Sequence, residues 1–273
     1  MSGERKEHME DTWDGDFDRE TAVEPTGDDR FEVQVSSSWN IGDNPNGGYL
    51  TAIALQAIRQ LGDPLAGHVD PLSVTTHYLR PGSGGIIGEV KTGLIRAGRT
   101  VTTGRATLIQ DGKPRIEVMA SMGDLSGGSG HDHEMAIAPP TDMPPPDQCV
   151  ERDGLEQGVK LFIARRIDLR IHPDTAAAGA SDNAETLGWI RFADAFAPSI
   201  FTRLGRVGWV PTIELTAHVR RRPASGWVQG RFVTEDLHDG RMIEDGWLWD
   251  STGALVARSR QLAMLLPDAD TGS

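Results

Sequence analysis

Residues 46–64, NGGYLTAIALQAIRQLGDP, set the reading of everything around them. From Tyr49 onward the apolar positions Leu50, Ile53, Ala54, Ala57, Ile58 and Leu61 recur at spacings of three and four, which is one buried stripe on a helix. Gly62 and Pro64 are expected to stop it. Gly47 and Gly48 open it. Lacking a Cβ, they let a ligand come close to first-turn backbone N–H groups that have no intrahelical acceptor and that stand at the positive end of the helix dipole.

Working outward, residues 17–23 and 30–35 read as extended runs joined by Pro25, Thr26, Gly27, Asp28 and Asp29, a turn-rich stretch typical of a hairpin. After the helix, residues 72–79, 86–94, 100–110 and 115–122 read as strands, with Asp111-Gly112 turning the last hairpin. Beyond Leu125 the composition shifts to Ser, Gly, His and Pro and ends in Pro144-Pro145-Pro146, the signature of a linker. The pattern then restarts. Residues 161–171 and 186–192 read as strands, 197–204 as a short helix opened by Pro198, and 211–220, 227–234, 241–250 and 255–266 as four more strands, with a turn at residues 250–253.

Laid side by side, the halves set Pro71 with Pro211, Arg80-Pro81 with Arg222-Pro223, and Asp111-Gly112 with Thr252-Gly253. A strand pair, a helix and four antiparallel strands, given twice, is an α+β layout of the double hotdog type: two tandem domains, each a curved antiparallel sheet wrapped around one helix. The expected division is a disordered N-terminus over residues 1–16, one domain over 17–125, a linker over 126–158, a second domain over 159–266 and a tail over 267–273.

Composition bounds the function. The 273 residues are 38% hydrophobic and 25% charged, as in ordinary globular proteins. A net charge of −13 repels polyanions and argues against nucleic-acid binding. No apolar run approaches the ~20 residues needed to span a bilayer, and residues 1–18 hold no secretory core, so a cytoplasmic protein is expected. The single cysteine, Cys149, excludes an intramolecular disulfide and lies in the Pro-rich linker. His131-Asp132-His133 sits in the Gly/Ser-rich linker without a further ligand set, so no metal is expected. No Gly-x-Ser-x-Gly elbow, P-loop or unbroken Gly-x-Gly-x-x-Gly occurs.

Three motifs in each half carry a resemblance. In the first half they are Asn46-Gly47-Gly48-Tyr49-Leu50, Thr76-His77-Tyr78-Leu79-Arg80-Pro81 and Arg96-Ala97-Gly98-Arg99. In the second half they are Gly188-Trp189-Ile190-Arg191-Phe192-Ala193-Asp194, Trp209-Val210-Pro211-Thr212-Ile213-Glu214-Leu215-Thr216 and Arg258-Ser259-Arg260-Gln261. Together these make residues 17–266 resemble the bacterial type II acyl-CoA thioesterases with two fused hotdogs. The resemblance implies hydrolysis of an acyl-CoA thioester by direct water attack, with no cofactor beyond the CoA of the substrate. It further implies that a carboxylate, a threonine and a glutamine of the second hotdog hold the water, mapped onto Glu214, Thr234 and Gln261, while Gly48 faces the thioester. The better-known members carry aspartate where Glu214 is mapped.

The residues themselves leave alternatives. Strict alternation puts Glu214 with Thr212, Thr216 and His218, on either a working or a solvated face. Position for position, Val74 answers Glu214 and Ala120 answers Gln261, so only one copy carries the polar pair. His77 reads as a structural strand histidine. The acyl pocket is expected between the halves, near Gly47, lined by Trp39, Tyr49 and Phe196, with Arg222 of the run Arg220-Arg221-Arg222 available to an anionic group. Pairing of whole chains as a homodimer of double hotdogs is a further expectation. Two rival functions remain. A hotdog enoyl-CoA hydratase is suggested by Gly42-Asp43-Asn44-Pro45, but Gly48 stands where its histidine belongs. A non-catalytic acyl-CoA-binding protein would bind without turnover.

Overall fold

The computed structural model describes residues 16–126, 135–152, 162–179, 181–191 and 210–266. The first half runs α1 (Asp16–Thr21), β1 (Glu24–Gly27), β2 (Arg30–Gln34), the short pair β3 (Asn40–Ile41) and β4 (Asn44–Pro45), α2 (Gly47–Ala66), β5 (Asp70–Tyr78), β6 (Ile87–Ala97), β7 (Thr102–Gln110) and β8 (Lys113–Gly123). The second half supplies β9 (Val150–Glu151), β10 (Asp168–Ile171), β11 (Glu185–Arg191), β12 (Thr212–Val219), β13 (Val228–His238), β14 (Arg241–Trp249) and β15 (Leu255–Met264). The expected helix at 197–204 lies outside the described residues.

Thirteen strands join in one antiparallel sheet, ordered β1-β2-β6-β7-β8-β5-β12-β15-β14-β13-β11-β10-β9. This is the tandem hotdog arrangement, with β5 and β12 meeting at the seam. The order reads the same outward from that seam on both sides: β8 and β15, β7 and β14, β6 and β13. Thr75 pairs directly with Thr216 there, and their hydroxyls lie 2.9 Å apart, so this pair marks the approximate two-fold between the halves.

The apolar stripe of α2 packs on the concave face of the first half from Leu50 to Ile58. Ile53, Ala54, Ala57 and Ile58 form one core with Val74, Val90, Ala106, Leu108, Val118 and Ala120. Fully burying an Ile or Leu of this stripe contributes about 1.5–3 kcal/mol. The helix lies close to the sheet because Gly104 has no side chain: a Cβ there would come within 2.8 Å of Ile58 Cγ2. The helix also outlasts its expected stop and ends at Ala66, since Pro64 removes only one N–H near its end. The chain leaves it through Gly67, at φ +63°.

Residues 17–21 are helical rather than extended. Thr21 Oγ1 donates to Phe17 O at 2.8 Å, and Phe17 packs edge-on against Trp39 with ring centroids 5.2 Å apart. The hairpin begins later, at Glu24. The turn Asp111-Gly112 is as expected, with φ of 52° and 68°.

The connection between the halves must travel from β8, beside the seam, to β9 on the far edge. It crosses the convex face, strand by strand. Trp249 Nε1 of β14 donates to Ile137 O at 2.7 Å, Gln229 Nε2 of β13 to Pro140 O at 3.4 Å, and Trp189 Nε1 of β11 to Pro144 O at 2.7 Å. These three donors oppose one another in register, so a single cross-strand row straps the segment down. Val150–Glu151, inside the expected linker, pairs with β10.

Candidate active site

Side chains directly opposite one another in an antiparallel sheet share a face, and successive residues alternate. On β5 the buried Val74 and Thr76 face α2, while His77 is exposed on the other side. Across the seam Thr76 pairs with Leu215, Leu215 with Gln261, Gln261 with Glu244, and Glu244 with Thr234. One row of concave-face positions therefore runs from the floor under α2 into the second half. Of its polar members, Thr76 lies on the near side and Gln261, Glu244 and Thr234 on the far side.

The row is hydrogen-bonded along its length. Thr212 Oγ1 donates to Gln261 Oε1 at 2.8 Å, and Gln261 Nε2 donates to Glu244 Oε1 at 2.6 Å. Glu244 and Thr234 are 5% and 7% exposed. At the near end, Thr51 Oγ1 of α2 lies 3.1 Å from Thr76 Oγ1 and 3.2 Å from the Tyr78 hydroxyl. Thr51 is one turn below Gly48 on the same helix face. Asn46 caps the helix: its Oδ1 accepts the Tyr49 N–H at 3.0 Å, while the Gly48 N–H has no acceptor among the described residues. Two strand spacings, about 10 Å, separate the backbone at Thr76 from that at Gln261, with Leu215 between them on the same face.

In the first half the positions corresponding to Leu215, Gln261 and Glu244 are Val74, Ala120 and Gly104, opposed in the same way. There the helix packs on these positions; in the second half two of the three are polar. Ala120 does answer Gln261. Val74 answers Leu215, however, and not Glu214.

Glu214 is thus on the opposite face from Gln261 and Thr234, which corrects the expected catalytic trio. It pairs with the exposed His77 on one side and Leu262 on the other. Its carboxylate takes the Thr216 hydroxyl at 2.5 Å, and Thr216 in turn meets Thr75 on the convex side. The physical cause is a bulge. Thr212 pairs with Ala263 and Glu214 with Leu262, so Ile213 is an extra residue, and Thr212 and Glu214 point to opposite faces instead of sharing one.

The expected substrate-binding residues divide. Trp39 and Tyr49 are core, each 2% exposed, stacked at 5.4 Å between ring centroids. The Tyr49 hydroxyl donates to Glu20 O at 2.8 Å and accepts from Ser36 N at 2.9 Å. Burial, chiefly, pushes its pKa up to about 12, against the Ser36 N–H and with the Glu20 charge. The Trp39 indole N–H donates to Glu20, whose carboxylate also pairs with Arg166 at 3.0 Å. Neither ring reaches a ligand without opening this core. Arg222 makes a bidentate pair with Asp70, at 3.0 and 2.9 Å, joining the start of β5 to the end of β12 as a clasp between halves. Gly47 is a packing glycine: a Cβ would fall 2.7 Å from Tyr78 Cε1. Phe196 lies outside the described residues.

The sequence reading missed Thr212, Glu244, Thr51 and Tyr78. Alternation along β14, where Met242, Glu244 and Gly246 are buried between half-buried neighbours, was the available signal for Glu244. Burial pushes the Cys149 thiol up, and its Sγ faces Pro144 O at 3.5 Å, which suits a structural cysteine. Among the described residues no group of His, Cys, Asp or Glu could hold a metal, and no helix is long and apolar enough to cross a membrane. His131 and His133 lie outside the described residues.

Comparison with known proteins follows the same division into halves. A model of the acyl-CoA thioesterase N-terminal domain matches residues 35–123, and one of the acyl-CoA thioesterase C-terminal domain matches residues 140–265. An uncharacterized protein of Mycobacterium tuberculosis is 24% identical over 265 residues, covering 86% of this chain and 90% of that protein. Among solved structures, a candidate thioesterase II from Thermobifida fusca is 28% identical with a TM-score of 0.79, covering 92% of this chain and 97% of that one. A hot dog fold protein of unknown function from Alicyclobacillus acidocaldarius reaches a TM-score of 0.79 at 21% identity, over 93% and 98%. With both halves matched in order and the tandem sheet in place, the chain belongs to the acyl-CoA thioesterase family.

Proposed function

We propose that the protein hydrolyses an acyl-CoA thioester by direct attack of water, in the crevice between the start of α2 and the polar row of the second half. The observation that carries this reading is the asymmetry of the row. Gln261, Glu244 and Thr234 stand in one half only, on the sheet face that the glycine-opened helix covers in the other half. Thioester hydrolysis needs a water held and deprotonated on one side of the carbonyl and a hydrogen-bond donor for the oxyanion on the other. Gln261 and Thr234 align the water, and the Gly48 N–H polarises the carbonyl. The water oxygen bonds to the carbonyl carbon as its proton passes to a carboxylate, and the C–S bond breaks as that carboxyl returns the proton to sulfur, giving a carboxylic acid and the CoA thiol.

The register removes Glu214 from the role of base. The connection from β11 to β12, residues 192–209, is the counterpart of the α2 connection and contains one acidic residue, Asp194. Asp194 lies outside the described residues, and its assignment as base rests on sequence. It belongs to the Gly188-to-Asp194 motif, whereas the resemblance mapped the family's carboxylate onto Glu214. CoA enters as part of the substrate, with no metal or redox group in the chemistry.

The test is release of free thiol from a panel of acyl-CoAs of increasing chain length by wild type, Asp194→Asn and Gln261→Ala. Turnover by wild type with loss in both variants supports the reading. Binding without thiol release from any substrate overturns it in favour of an acyl-CoA binder, and water addition to an enoyl-CoA overturns it in favour of a hydratase.

A further inference from the structure

The Gln261 amide can sit in two orientations related by rotation about its last bond, and they offer a water opposite chemistry. Its neighbours select one. Thr212 Oγ1 donates to Oε1 at 2.8 Å, and Nε2 donates to Glu244 Oε1 at 2.6 Å. A hydroxyl can donate or accept, so Thr212 alone favours neither orientation. An ionised carboxylate only accepts, so Glu244 sets the direction of the whole chain from Thr212 through Gln261.

The scaffold does not demand an acid at this place. The corresponding first-half position is Gly104, where the helix leaves no room for any side chain. Among the described concave-face positions of β10 to β15, Glu244 is the acidic one. A buried carboxylate is costly unless hydrogen-bonded, and one bond that Glu244 accepts comes from the amide assigned to hold water.

We propose that Glu244 is the positioning residue of the site: it fixes the Gln261 amide so that the second Nε2 proton and the second Oε1 lone pair are presented to the attacking water. This rests on Gln261 being the water-aligning group. The variant to make is Glu244→Gln, which keeps the shape but removes the acceptor-only character, so both amide directions become available.

In the full-length protein Glu244→Gln lowers kcat about tenfold or more while KM stays within about twofold, because ground-state substrate contacts are untouched. In a Gln261→Ala background the same change alters kcat by less than about twofold, since the residue acts through the amide already removed. A Glu244→Gln enzyme with wild-type kcat, or losses that multiply in the double variant, overturns the proposal. A readout independent of turnover is the side-chain amide signal of Gln261 in ¹⁵N-labelled protein. One proton held downfield by the carboxylate in wild type and released in Glu244→Gln supports the proposal, and identical spectra overturn it. If wild type hydrolyses no acyl-CoA, the thioesterase reading falls, and the amide signal still decides the role of Glu244.

Discussion

Glu214→Gln is expected to leave catalysis intact, and the expectation is sharp because the register puts Glu214 and the water-aligning Gln261 on different faces. Glu214 opposes the exposed His77, while Gln261 opposes Glu244, which in turn opposes Thr234, on the helix side. A side chain on each face places the Glu214 carboxylate about 10 Å from the polar row, judged from the ~10 Å that separates stacked sheets, and a base must come within about 3 Å of its proton or one water away. What remains is long-range electrostatics. A unit charge at about 10 Å in aqueous dielectric is worth about 0.4 kcal/mol, or a factor of about two in rate, before salt screening reduces it further. Locally the glutamine can still accept the Thr216 hydroxyl that Glu214 now takes at 2.5 Å. The assay is thiol release at saturating and limiting acyl-CoA, in low and physiological salt. A loss of tenfold or more in kcat at both salts would refute the face assignment and, with it, the bulge at Ile213.

Gly47→Ala should destabilise the protein by roughly 1–2 kcal/mol despite alanine's better helix propensity, because the new Cβ overlaps the Tyr78 ring; thermal denaturation checks this, and an unchanged midpoint would show that the ring yields freely. Asp70→Asn tests the clasp between halves through pH. Burial alone would raise the Asp70 carboxyl, but the Arg222 hydrogen bonds, the Leu125 N–H and the Arg222 charge outweigh it and hold the carboxyl below its usual range. A folded-state pKa below the unfolded one stabilises above the unfolded value, near 3.9, and the gain vanishes as pH falls through the lowered value. The wild-type advantage over Asp70→Asn in urea denaturation should therefore be present at pH 7 and shrink below about pH 4; an advantage independent of pH would contradict the ion-pair account.

Much of this fold is local enough to be read in sequence. The α2 stripe, the Asp111-Gly112 turn and the order of strands in each half depend on contacts between near neighbours, and the first half follows them closely. Where local signals competed, the reading failed. Phe17 and the residues after it look extended, yet their helix is stabilised by packing on Trp39 from a different part of the chain. Trp39 and Tyr49 look like pocket aromatics until the half-buried Glu20 that binds both is in view. Arg222 looks available until Asp70, far away in sequence, is found against it.

The sequence by itself determined the duplication, the glycine-led helix and the asymmetry between Ala120 and Gln261, because residue type and short-range periodicity carry that information. Which face each strand residue uses was decided only by tertiary structure. One inserted residue, Ile213, turns Thr212 toward the crevice and Glu214 away from it. Pairing across strands distant in sequence then brings Glu244 to Gln261, a contact that no spacing along the chain encodes.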